Sequence, residues 1–265
     1  MTMAEAAMYF TDGAAYERFM GRWSRAVAPV FLDWLGAPRN ARWLDVGCGT
    51  GILAETVLGM CMPAAISAVD PSPAQIREAA TSASARTVSF EVADAQQLPF
   101  ADASFDVVAS ALVINFVPDR ALALAEMRRV ARPRGLVGGY VWDLAGELSP
   151  SGPVRNALRR CGADVPAVPG TAASSIQALR ELFTHTGLAQ IETRTIDVTL
   201  AYASFDEFWV AQTPGYTATT KVIAAMNERE RLRVKRAVQE ALPPGPNGSI
   251  AYVARAHAIK ARVPR

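Results

Sequence analysis

Residues 44–51 read Leu-Asp-Val-Gly-Cys-Gly-Thr-Gly, and no other stretch constrains the fold as strongly. A short apolar strand runs into a turn with glycine at alternate positions. Without Cβ atoms the backbone turns sharply there, and a ligand can lie directly on main-chain atoms. The next apolar run closes on Asp70. In nucleotide-binding α/β folds an acid at the end of the second strand grips a ribose diol. The two features together point to a ligand that carries a nucleoside.

The spacing narrows the ligand. A dinucleotide fingerprint runs G-x-G-x-x-G; started at Gly47 it meets Gly49 and then Ile52 in place of the third glycine. The chain has G-x-G-x-G instead, preceded by Asp45. A carboxylate one residue before the turn attracts a cation and repels a pyrophosphate.

Strand and helix signals alternate along the chain. Residues 14–35 have helical spacing, with Tyr16, Phe19, Trp23, Val27, Val30 and Phe31 on one side. Pro29 is expected to break or kink that helix into two. Strands are expected at 42–46, 66–70, 87–93, 105–112 and 136–142, with a helix over 52–58. Ser72 should cap a further helix with Pro73 at its first position. Pro118 should open another, which Pro133 stops. A helix near 174–185 precedes a strand at 190–200, residues 204–242 read as mostly helical, and 249–259 as a last strand. Gly, Pro and Ala gather without periodicity over 146–170, which reads as a loop at the mouth of the site. Alternation of this kind implies a doubly wound parallel sheet.

These motifs resemble class I S-adenosylmethionine-dependent methyltransferases, of the ubiquinone/menaquinone-biosynthesis type that acts on small molecules. The resemblance rests on the glycine turn, Asp70, the acid–small pair Asp94-Ala95, the strand opening Ser-Phe-Asp-Val-Val at 104–108, and Ile-Asn-Phe-Val-Pro-Asp at 114–119. It implies an α/β, mostly parallel, seven-stranded Rossmann-like sheet with a late antiparallel strand and a helical lid or insertion at 204–242. One domain over 1–265 is expected: a helical cover at 1–39, a cofactor-binding core at 40–143 and substrate-side elements at 144–265.

The same resemblance implies roles for individual residues. Gly47 would offer its carbonyl to the methionyl ammonium, with Asp45 nearby. Gly49 and Gly51 would keep the turn open, where any side chain should clash. Asp70 would accept from the ribose hydroxyls, Asp94 from the adenine amino group, and Ala95 would donate its amide to the ring. Leu98 would cover an adenine face. Tyr16 would touch the methionyl end and Arg22 its carboxylate, if their helix lies over the cofactor. Asp143 and Asn115 are the candidates for catalysis, although Asn115 stands where such enzymes often have histidine. Phe116, Trp142, Trp209 and Tyr216 are candidates for the substrate wall. The cofactor would be S-adenosylmethionine, leaving as S-adenosylhomocysteine, and no metal is required. His185 and His257 are expected to be structural.

Composition bounds the alternatives. A chain of 265 residues, 51% hydrophobic, can bury a continuous core. A net charge of +2 gives no footprint for nucleic acid or an anionic membrane. The arginines of 226–240 alternate with glutamates and read as a solvated helix face. No basic start followed by an apolar run is present, and no apolar stretch reaches the roughly 20 residues of a membrane span. Three scattered cysteines suggest neither disulfides nor a zinc site, consistent with the cytoplasm. No Asn-Pro-Pro-Tyr or Pro-Cys motif suggests a nucleic-acid methylator. The rival readings are a non-catalytic S-adenosylmethionine-binding subunit and a nicotinamide-dependent oxidoreductase.

Overall fold

The computed structural model of the chain describes residues 17–213 and 217–265. Its sheet comprises β1 (Arg42–Val46), β2 (Ala65–Asp70), β3 (Val88–Val92), β4 (Phe105–Ala111), β5 (Ala131–Trp142), β6 (Ala189–Tyr202) and β7 (Ile250–Arg262). The strand order is β3-β2-β1-β4-β5-β7-β6. Strands β1 to β5 pair in parallel, and β7 runs antiparallel between β5 and β6. This is the expected seven-stranded sheet with its late antiparallel strand.

Side-chain alternation divides the core between the two faces. Trp43 and Val107 point to one side, where the helices α1 (Arg22–Leu35) and α2 (Ile52–Met60) cover them. Leu44 and Val108 point to the other, against α4 (Arg120–Val130) and α6 (Ile176–His185). Burial on both faces explains why β4 reads as a nearly continuous apolar run. Between β2 and β3, α3 (Pro73–Ala79) starts as expected, with the Ser72 hydroxyl accepting from the Gln75 amide.

A third apolar cluster gathers α5 (Gly152–Arg160), α7 (Phe205–Gln212), α8 (Ala218–Ala225) and α9 (Glu228–Ala241) around Tyr202 and Ile250. Helix α9 buries Val234 and Val238 and leaves most of its charged side chains exposed, as a solvated face should. No helix among the described residues is long and apolar enough to cross a membrane.

Three expectations need correction. Pro29 does not divide its helix: α1 runs through it, because Trp23, Val27, Phe31 and Leu35 are all buried along one side. Burying several such side chains at about 1.5–3 kcal/mol each outweighs one interior proline at roughly 3 kcal/mol. The stretch 146–170 is not wholly a loop. It contains α5, whose Val154, Ala157 and Leu158 are buried; Pro153, in the first turn where proline is tolerated, disguised the helix. Helix α4 begins after Asp119, whose carboxylate accepts from the Leu122 amide, so Pro118 precedes the helix without opening it.

In this strand order the direction of winding reverses between β1 and β4. Ligands in open α/β sheets bind beyond the carboxyl ends of the strands at such a switch point. The residues after β1, β2, β3 and β4 all open on that edge.

Candidate functional site

The turn after β1 is built by backbone geometry. Gly47, Gly49 and Gly51 have φ of 76°, 54° and 88°, values that cost an L-residue roughly 1–2 kcal/mol. The amides of Gly47 and Cys48 both donate to the Val69 carbonyl, at 2.8 and 2.9 Å, which ties the turn to the end of β2. The Asp70 carboxylate accepts from Gly49 N–H and from Ser72 N–H, each at 2.9 Å. A carboxylate offers about four lone-pair sites, so Asp70 braces the turn and retains acceptor capacity toward a ligand.

The three glycines differ in what they exclude. A Cβ on Gly47 would stand 2.4 Å from Val113 Cγ1, whereas one on Gly49 would meet only Gln75 Oε1 at 3.8 Å. At Gly49 the constraint is therefore backbone conformation and not a clash. Gly51 packs under the Phe90 ring, 3.1 Å from where a Cβ would lie, and takes no part in lining the cavity.

That cavity is bounded by Asp45, Gly47–Thr50, Asp70, Asp94-Ala95 and Leu112-Val113. Its ionisable side chains are three aspartates, Cys48 and Tyr140; no Lys, Arg or His among the described residues lines it. Asp45 is 3% exposed, and its carboxyl oxygens have no well-formed hydrogen bond, only the partial pull of the Ala54 amide. Burial, with added repulsion from Asp70, pushes its pKa up to about 7; the Ala54 amide opposes this only in part. Asp70 is also raised by burial, against the amides of Ser72 and Gly49, which favour its charge. Burial and the neighbouring acids hold the Cys48 thiol protonated, which removes it as a nucleophile.

Asp94 is held by Gln96, whose backbone and side-chain nitrogens both donate to its carboxylate, at 2.9 to 3.1 Å. The segment behind it is anchored by Arg129, which donates to the Leu98 and Phe100 carbonyls and to Glu126 and Asp102. Leu98 itself is buried in the apolar core beside α4 and does not line the cavity, which corrects its expected place over an adenine face.

A second chamber adjoins the first, the two sharing Leu112 and Phe116. Phe19, Asn115, Trp142, Leu144 and Val154 line it, with Arg155 and Gln212 as buried polar side chains. Each cavity encloses about 1060 Å³ including its open mouth. Asn115 is 2% exposed and its Oδ1 has no partner.

Other expected residues lie elsewhere. Arg22 pairs with Glu207 at 3.2 Å, donates to the Ala201 carbonyl and stands over the Tyr202 ring, so it faces α7 and not the cavity. Asp143 is buried but lines neither chamber; Oδ1 accepts from Gly146 N–H at 2.6 Å and Oδ2 lies 3.7 Å from His257 Nε2. Its place is in the loop after β5, and His257 accordingly packs there, its Nδ1 2.8 Å from the Ser174 carbonyl oxygen. Trp209 stacks on Phe205 within the third apolar cluster. Tyr16 and Tyr216 fall outside the described residues. Arg155 and Gln212 belong to no motif, and in Gly-Pro-Val-Arg-Asn-Ala-Leu-Arg-Arg nothing in the sequence sets Arg155 apart from Arg159 and Arg160.

Residues 44–138 match the family model described as a methyltransferase domain. A malonyl-[acyl-carrier protein] O-methyltransferase of Pseudescherichia vulneris is 35% identical over 113 residues, 43% of this chain and 43% of that protein. The solved YcgJ protein of Bacillus subtilis superposes with a TM-score of 0.59 at 18% identity, covering 92% of this chain and 99% of that one. Phosphoethanolamine N-methyltransferase 2 of Haemonchus contortus, solved in complex with S-adenosyl-L-methionine, gives 0.57 at 17% identity, covering 95% of this chain and 56% of that one. The chain spans about half the length of the curated relatives it matches.

Proposed function

We propose that this chain, which has the class I S-adenosylmethionine-dependent methyltransferase fold, moves a methyl group to a small molecule held in the second chamber. The observation that carries the reading is the first cavity's charge: carboxyl groups on a glycine turn, with no basic side chain among its described lining residues. Such a wall suits an ammonium and a sulfonium, and repels the diphosphate of a nicotinamide dinucleotide. The cofactor fits on this chain's own terms, since Asp45 keeps two buried carboxyl oxygens that no side chain satisfies.

S-adenosylmethionine, when bound, supplies a methyl group already activated on a sulfonium. The protein's residues then have to bind, orient and exclude water. Asp45 and the Gly47 backbone hold the amino-acid end, Asp70 the ribose, and Asp94 with Ala95 the adenine. Leu112 and Phe116, common to both chambers, stand at the junction where donor and acceptor meet. Alignment of two reactants can supply roughly 7–11 kcal/mol of a barrier. Asn115, with its open Oδ1, orients the acceptor, and Trp142 forms the apolar floor. The described lining of the second chamber includes no carboxylate or imidazole. The acceptor atom therefore presents its own electron pair, and any proton leaves through the open mouth.

The relative named malonyl-[acyl-carrier protein] O-methyltransferase supports methyl transfer as the reaction, on an acceptor that in that case is carried by a protein. A cytoplasmic setting fits free thiols at Cys48, Cys61 and Cys161, and no nucleic-acid partner is required. The test is a metabolite extract incubated with the protein and methyl-labelled S-adenosylmethionine. One small molecule should gain the label in proportion to enzyme. Cofactor binding without any labelled product would make the chain a binding subunit instead.

A further inference from the structure

Arg155 is 6% exposed, sits in α5 and lines the second chamber. Its guanidinium donates to Thr219 Oγ1 at 2.9 Å and to the Pro166 carbonyl at 2.8 Å. Both partners are neutral. No carboxylate among the described residues forms an ion pair with it, and Glu147, the acid that acts on it from a distance, is engaged by Arg159. Burial and repulsion from Arg159 both disfavour its charge, which Glu147 offsets only partly. A buried cation without a counter-ion is costly, and the cost is recovered when an anion joins it.

The surroundings limit what that anion can be. Phe19, Trp142, Leu144 and Val154 give the chamber a largely apolar wall, its other polar side chains such as Asn115, Gln212 and Thr219 are neutral, and Arg155 is its one charged side chain among the described residues. Of five guanidinium N–H groups, the two hydrogen bonds leave three. The N-terminal end of α5, which favours negative charge, opens on the same chamber through Ser149–Ser151. A single planar fork in an apolar chamber matches one planar monoanion with an apolar body.

We infer that the acceptor is an apolar molecule bearing one carboxylate, which Arg155 holds at the far end of the second chamber from the methyl donor. Naming that molecule the acceptor rests on the methyl-transfer reading; the carboxylate site itself does not. Arg155 is thus a specificity-determining residue, and it lies in a segment whose composition conceals it.

The experiment is calorimetric titration of the full chain with octanoate, octan-1-ol, octylamine and octyl phosphate, with and without S-adenosylhomocysteine. Octanoate should bind roughly 10–100-fold tighter than octan-1-ol, the range of a charge-assisted hydrogen bond, and octylamine should not bind. Octyl phosphate, with excess charge for one guanidinium, should bind more weakly than octanoate. Arg155→Met should erase the octanoate preference and leave the affinity for S-adenosylhomocysteine within about twofold of its original value. Arg155→Lys, which keeps the charge without the fork, should retain part of the preference, and it serves alone if the Met variant fails to fold. Equal binding of octanoate and octan-1-ol, binding of none of the probes, a preference for octyl phosphate, or a preference unchanged in the variants would overturn the inference. Failure of the unaltered chain to bind S-adenosylhomocysteine would strike the methyl-transfer reading instead, since the probe series is read equally without it.

Discussion

The Asp70 carboxylate accepts a hydrogen bond from the Gly49 amide at 2.9 Å, so the acid that ends β2 also shapes the turn that follows β1. Ligand binding and turn geometry are coupled through one side chain. Asp70→Asn keeps one carbonyl oxygen for two N–H donors and turns an amide NH2 toward the other. Leaving such a buried group unpaired costs about 1–3 kcal/mol. We expect a lower melting temperature together with a loss of roughly 10–100-fold in S-adenosylhomocysteine affinity by calorimetry. Unchanged affinity would remove Asp70 from the site.

Gly47 and Gly49 should respond differently to alanine. Gly49→Ala meets only the left-handed backbone penalty of roughly 1–2 kcal/mol. Gly47→Ala adds overpacking against Val113, whose Cγ1 lies 2.4 Å from the new Cβ position, for about 1–3 kcal/mol more. Denaturant unfolding should therefore rank Gly47→Ala as the more damaging. Adding Val113→Ala should recover part of that loss but do nothing for Gly49→Ala.

Asp45 makes both stability and binding depend on pH. Its folded-state pKa of about 7 lies above the ordinary carboxylate value. Its contribution to stability is accordingly full below about pH 4 and is lost as pH rises through 7. Asp45→Asn should raise the melting temperature at pH 8 and leave it nearly unchanged at pH 4. A cationic ligand pulls the other way by favouring the carboxylate. S-adenosylmethionine affinity should rise between pH 6 and 8, and binding at pH 6 should release protons. Calorimetry in buffers of differing ionisation enthalpy reads that release, and finding none would contradict the placement of a cation beside Asp45.

Asp143 should behave as a structural residue. Its carboxylate holds the Gly146 amide and faces His257, so Asp143→Ala loosens the loop after β5. We expect a melting temperature lowered by several degrees with S-adenosylhomocysteine affinity preserved. A variant of unaltered stability that no longer labels any metabolite would return Asp143 to catalysis.

The lining of the first cavity was legible because it is local. Asp45, Gly47, Asp70, Asp94 and Ala95 sit at the carboxyl ends of β1, β2 and β3, and the parallel pairing of those strands brings the ends to one edge. The second chamber is assembled from Asn115, Trp142, Arg155 and Gln212, which come from separate elements and have no common spacing. Arg155 was concealed by the prolines and glycines of 146–170, where periodicity is too short to read. Arg22 differs for another reason: the resemblance laid its helix over the cofactor, but Glu207 and Tyr202, far off in sequence, engage its guanidinium instead.

Co-crystallisation with S-adenosylhomocysteine tests the central claim most directly. The account predicts the ribose hydroxyls within hydrogen-bond distance of Asp70, the adenine beside Asp94 and Ala95, and the amino group against Asp45 and Gly47. Density for the nucleoside anywhere else, or a cavity that stays closed to it at saturating concentration, would contradict the account.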